Sequence, residues 1–197
     1  MARLLDRVDR ALAGIETPLN LIGGVFILAL AALGIAQVVM RAVMGAPIMG
    51  YIDIVEQGTA VFAFLGLAYT QRTGGHIRME LVLQYLPRPV LWPVELVNTL
   101  FAAVIVAILL PGAWQHFERA YRIGDSTMSI GLPTWPTRLL VALALGLLLV
   151  RLLVQLWGFL RLSFAPRSEP VAVPLPANAA ELAAEEVASA SVEEDRR

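Results

Sequence analysis

LNLIGGVFILALAALGIAQVVM, running from Leu19 to Met40, carries only Asn20 and Gln37 as polar side chains. About 20 mostly apolar residues, wound as a helix, cross the roughly 30 Å of a bilayer's hydrocarbon. This run meets that length without help, so the chain enters a membrane. It does not read as a cleaved signal peptide. It is too long, it lacks a small-residue cleavage site, and an amphipathic stretch precedes it.

Three further apolar runs follow. Ile54 to Tyr69 contains Glu56 and Gln57, and reaches spanning length if it starts near Tyr51. Val94 to Leu110 contains Glu95 and Asn98. It follows Pro87, Pro89 and Pro93 and is expected to stop at Pro111-Gly112, where helix breakers cluster. Leu139 to Leu162 is broken by Arg151, Gln155 and Arg161. Between Arg138 and Arg151 lie 12 residues, about 18 Å of helix, which cannot span. One or both arginines must therefore lie inside the fourth helix and either snorkel outward or pair with a neighbour, such as a carboxylate.

Composition agrees. The 197 residues are 58% hydrophobic and 16% charged, with mean hydropathy +0.71; soluble domains carry about 25% charge. Net charge is −1, so no global field favours nucleic acid. All 15 cations are arginine, a preference with no functional explanation in the sequence. Without cysteine there are no disulfides, thiolate metal sites or Cys nucleophiles.

The expected fold is an all-α integral membrane protein with four transmembrane helices. Residues 1–17 are expected to form an amphipathic interfacial helix, because Leu4, Leu5, Val8, Leu12 and Ile15 recur at helical spacing opposite Arg3, Asp6, Arg7, Asp9 and Arg10. Residues 18–165 form the four-helix membrane domain. Residues 166–197, rich in Pro, Ala, Glu and Ser and free of aromatics, are expected to be a disordered cytoplasmic tail.

Arginines set the orientation. Arg3, Arg7, Arg10, Arg72, Arg78, Arg88, Arg161 and Arg167 fall on one side; Arg41, Arg119, Arg122 and Arg138 fall on the other. The positive-inside rule puts the larger set, and both termini, in the cytoplasm. Gly75, His76, Arg78 and Glu80 then form a cytoplasmic turn between spans two and three. Residues Pro111 to Arg138 are extracytoplasmic. There Trp114, Phe117 and Tyr121 share one helix face, suggesting a short interfacial helix continuing from span three, and Trp135 can anchor at the headgroups.

Enzymatic chemistry finds no footing. The span interiors hold no serine–histidine pair for intramembrane proteolysis, and the two histidines, His76 and His116, sit in loops on opposite sides. No phosphate-binding or dinucleotide-binding glycine loop and no metal-ligand spacing is present, so no cofactor or metal is expected. Polar residues at membrane depth remain: Asp53 with Glu56 and Gln57, Glu95 with Asn98, and Arg151. An ion or solute path is one reading. Helix-to-helix or subunit-to-subunit pairing is the other, and scattered pairs on four spans favour it. Gly23, Gly24 and Gly34 in span one and Gly58 and Gly66 in span two allow close backbone approach.

HIRMELVLQYLPRPV after span two and DSTMSIGLPTWP before span four give the chain a family likeness. It resembles the small permease subunit of tripartite ATP-independent periplasmic (TRAP) transporters, the DctQ-like family. That family's second helix ends in FLG, small residues and a basic-glycine-His-Ile turn; here stand Phe64-Leu65-Gly66 and Arg72-Thr73-Gly74-Gly75-His76-Ile77. Its turn before span four is matched by Ser126, Ser129, Leu132-Pro133 and Trp135. It departs at the entry to span two, where Tyr51 stands in place of the family's Trp and the carboxylates are Asp53 and Glu56.

The resemblance implies a bacterial inner-membrane protein working with a large multi-span permease subunit and a periplasmic solute-binding protein. It implies transport driven by an ion gradient, usually sodium, of organic acids, with this chain as scaffold and without catalysis. Glu56, Gln57, Glu95, Asn98 and Arg151 would meet the permease, and membrane lipids would cover the rest. Trp114, Arg119, Arg122, Ser126, Pro133 and Trp135 would help dock the binding protein. A stand-alone small carrier or channel subunit is the alternative, and it would need a polar stripe through several spans.

Overall fold

A computed structural model describes residues 2–73 and 88–164. They are almost entirely helical, and four of the helical stretches are long and apolar enough to cross a membrane: Leu5–Met44, Tyr51–Thr73, Trp92–Ile123 and Trp135–Ser163. The turn at Gly75, His76, Arg78 and Glu80 and the tail from residue 166 lie outside the described residues.

The first span is α1, Ala2–Val39, closed by a π-helical turn over Met40–Met44. The turn ends at Gly45, whose φ of 66° is a left-handed conformation that only glycine adopts without strain. The second span is two consecutive pieces, α2 at Tyr51–Leu65 and α3 at Leu67–Thr73, separated at Gly66. The third is α4, Arg88–Ile123, and the fourth α5, Trp135–Phe164.

Two expected boundaries are absent. No break separates residues 1–17 from span one: α1 continues through Pro18. Likewise the third span does not stop at Pro111-Gly112, because α4 continues three turns further to Ile123. Proline removes one backbone donor and crowds the preceding turn, at about 3 kcal/mol in water. Transmembrane helices tolerate it, since neighbouring helices and local adjustments satisfy the freed groups. The short interfacial helix expected after span three is thus the end of α4 itself.

α5 is the axis. Its most apolar stretch is 39% buried within the chain, against 6% for α1. α4 packs along α5, α2 and α3 also pack on α5, and α1 packs chiefly on α2. The α4–α5 seam holds Ala103, Val106, Leu145, Leu148 and Leu152, and a second cluster joins Trp92, Phe159 and Leu162. Lipid tails are as apolar as these side chains, so their contribution is close packing rather than escape from water.

Small residues set the α1–α2 crossing. A Cβ at Gly23 would lie 3.5 Å from the Leu65 side chain and 3.6 Å from the Phe62 carbonyl oxygen, and one at Gly58 would press on Leu30 at 2.9 Å. Gly24 faces open space, and Gly34 lies near the Tyr51 hydroxyl. Much of α1 and α4 faces outward with large apolar side chains, among them Leu21, Leu28, Ile35, Phe101 and Ile108.

Candidate functional site

Arg151 decides the end of the bundle where α1 begins. It sits four turns into α5, is 2% exposed, and carries a charge that hydrocarbon cannot solvate. Its Nη1 donates to Asp9 Oδ1 at 2.5 Å, and its Nε lies 3.8 Å from Glu16 Oε1. Asp9 and Glu16 are seven residues apart, two turns of α1, and so share one face. Glu16 also stands 3.5 Å from Arg72 Nε at the end of α3, and Arg72 Nη2 donates to the Thr17 hydroxyl at 3.2 Å.

One turn along α5, fully buried Gln155 extends the network. Gln71 Nε2 donates to Gln155 Oε1 at 2.7 Å, and Gln155 Nε2 donates to the Gln71 carbonyl at 3.1 Å. Two carboxylates and two guanidiniums thereby tie α1, α3 and α5. Neither Glu16 oxygen has a hydrogen-bond partner among the described residues, so Glu16 acts through charge. Of the two fates open to Arg151, headgroup or carboxylate, the structure supplies the carboxylate.

The other polar residues expected at membrane depth separate into two kinds. Glu95 is 3% exposed and lies inside the chain beside equally buried Thr99, as Arg151 does. Asn98 and Glu56 are exposed, and Gln57 is half-buried. Only the exposed residues present themselves directly to another molecule.

At the opposite end, a loop from Gly124 to Thr134 joins α4 to α5. Gly124, with φ 71°, closes α4: its N–H and that of Asp125 both donate to the Ala120 carbonyl. The loop folds on itself as an antiparallel pair at Ser126 and Pro133, with Thr127 N–H donating to the Leu132 carbonyl at 2.9 Å. Asp125 pairs with Arg138 at 2.6 Å.

Asp53, grouped in the sequence with the polar residues at membrane depth but not with the partner-interface or docking residues, holds this loop to α2. It is 5% exposed, and its Oδ2 accepts the backbone N–H groups of Ser129 at 3.1 Å and Ile130 at 3.0 Å. Its neighbour Gly50, φ 75°, leaves the space that Ile130 fills. The signal available beforehand was a carboxylate in the first turn of a helix opposite a Ser/Thr-rich loop.

Trp114, Phe117 and Tyr121 stack along α4, with centroids 5.3 and 6.0 Å apart, and Tyr121 meets Trp135 edge-on at 5.6 Å. Arg119, Ser126 and Pro133 are exposed beside this column, and exposed Arg122 pairs with Glu118 one turn earlier. The expected docking residues are therefore together at one end of the molecule. Between α2 and α4, floored by α5, lies an open cleft of about 990 Å³ lined at its loop end by Asp53, Glu56, His116, Asp125, Thr127 and Arg138. No group of three or more His, Asp or Glu able to hold a metal occurs among the described residues.

Four apolar helices, with ion pairs inside the bundle and an ordered polar loop at one end, define a multi-pass membrane protein. The family described as tripartite ATP-independent periplasmic transporters, DctQ component, matches residues 30–162, about two thirds of the chain. The chain belongs to that family, and is the small membrane subunit of such a transporter. Arg72, Arg151, Gln155, Asp53 and the loop lie within the matched residues; Asp9 and Glu16 precede them. No curated protein matches the chain.

Proposed function

We propose that this chain braces the large permease of a three-part, ion-gradient-driven importer and helps seat its periplasmic binding protein. The observation that carries this reading is how its charges are used. Arg151, Arg72, Asp9 and Glu16 tie the chain's own helices together. Apolar side chains on α1 and α4 are left for lipid or another subunit. A brace needs internal stiffness and outward greasy faces, and this chain has both. The family resemblance supports sodium as the coupling ion and organic acids as the cargo.

The arginine distribution supports cytoplasmic termini, with the Gly124–Thr134 loop and the aromatic column in the periplasm. Reporter fusions at residues 80 and 175 should read cytoplasmic and one at residue 120 periplasmic; a periplasmic signal at residue 80 would invert the arrangement.

The functional test is reconstitution of the permease and binding protein in proteoliposomes. Leaving out this chain should abolish uptake, whereas Glu56→Gln and Glu95→Gln should leave its sodium dependence unchanged. Uptake by this chain alone, or altered ion coupling in either variant, would make it a carrier instead.

A further inference from the structure

The cleft between α2 and α4 has a charge that the chain does not use. Three carboxylates line it, Asp53, Glu56 and Asp125, against one guanidinium, Arg138; His116 is the remaining titratable group. Asp125 is committed to Arg138, and Asp53 to the amides of Ser129 and Ile130. Glu56 is left over. It is exposed on α2, about one turn deeper than Asp53, and has no hydrogen-bond or ion-pair partner among the described residues.

Below Glu56 the walls become apolar: Ala60, Phe64, Leu109, Ala113, Val141 and Leu145. The cleft is thus a trough, acidic at its mouth and greasy below, flanked by two helices and floored by a third. An occupant must present a cation near the mouth and an apolar body along the trough. A helix about 10 Å across with one Arg or Lys near its periplasmic end has that form.

We propose that the α2–α4 cleft is the seat of a transmembrane helix of the large permease, and that a cationic side chain of that helix pairs with Glu56. This rests on the reading of the chain as the permease's small subunit. The pair is formed at the edge of the hydrocarbon, where an unpaired carboxylate is disfavoured and a paired one gives register as well as attraction. Glu56 is then an interface residue and takes no part in ion coupling.

The test is co-purification of the two subunits in detergent, with thermal unfolding of the small subunit alone as the control for folding. Glu56→Arg places like charges together and should lower the recovered permease by about tenfold or more. Glu56→Gln should lower it less, and both variants should melt like the parent chain.

Because the chain has no cysteine, Ala60→Cys and Ala113→Cys each give a single thiol for maleimide labelling. Both should label in the isolated subunit and be protected in the complex. A full yield of complex with Glu56→Arg, or equal labelling with and without permease, overturns the proposal while leaving the subunit reading intact. Protection already present in lipid nanodiscs without permease would make the occupant a lipid, and would overturn it too. Failure of the parent chain to bind any permease would remove the subunit reading itself.

Discussion

The two ends of the bundle are fastened by different chemistry. Where α1 begins, side-chain charges do the work: buried Glu16 on α1 and Arg151 on α5, with half-buried Asp9 on α1 and Arg72 on α3. At the loop end, backbone amides donate to one carboxylate, Asp53, and the loop's own hydrogen bonds supply the rest. Buried charges have no substitute partner when one is lost. Loop amides near water do, so the first fastening is brittle and the second forgiving.

The largest expected effect follows from breaking the brittle end. Arg151→Leu takes the partner from half-buried Asp9 and leaves buried Glu16 to Arg72 alone; it should cost about 3 kcal/mol, the lower end of the penalty for breaking a buried pair. Thermal unfolding in detergent and in nanodiscs reads it, and an unchanged melt would mean that the pairs tie nothing. Replacing Arg151, Asp9 and Glu16 together by apolar residues should recover much of the loss, because the set as a whole carries its own desolvation cost.

Next comes the backbone of the loop end. Gly50→Ala forces a left-handed conformation on alanine, at about 1–2 kcal/mol. It also drives a Cβ to within 2.6 Å of Ile130 Cγ2. A lower melting temperature with unaltered helix content is expected. A melt equal to the parent's would show that the loop shifts freely away from α2.

Asp53→Ala should act locally instead. The Ser129 and Ile130 amides lose their acceptor, and their hydrogen exchange should quicken by about tenfold while the global melt moves little. A melt change as large as that of Arg151→Leu would erase the contrast between the two ends. Smallest of all is Arg122→Ala, which opens the exposed pair with Glu118; surface pairs of this spacing contribute under about 0.5 kcal/mol, below what a melt in detergent separates from the parent.

How far these fastenings could be read beforehand differs in the same way. The four runs are legible because bilayer thickness is a length requirement that composition alone reveals. That Arg138, Arg151 or both had to lie within the fourth span, and snorkel or pair, was legible too, since the 12 residues between them cannot span. Which partner was not, because Asp9 and Glu16 lie more than 130 residues away in sequence and read locally as one polar face of a surface helix. The stop at Pro111-Gly112 misled because breaker rules describe helices in water, whereas α4 lies along α5. Asp53 read as a polar residue sharing a helix face with Glu56; only the return of the loop across 76 residues of chain shows what it holds.

The continuity of α4 has a mechanical consequence. Thirty-six helical residues make a rod of about 54 Å, well beyond the roughly 30 Å of hydrocarbon. The aromatic column occupies the last turns of that rod, and the ordered loop clamps it to the start of α5. Any body resting on Trp114, Tyr121 and Trp135 would therefore stand on a helix continuous with the membrane bundle, joined to it without an intervening loop.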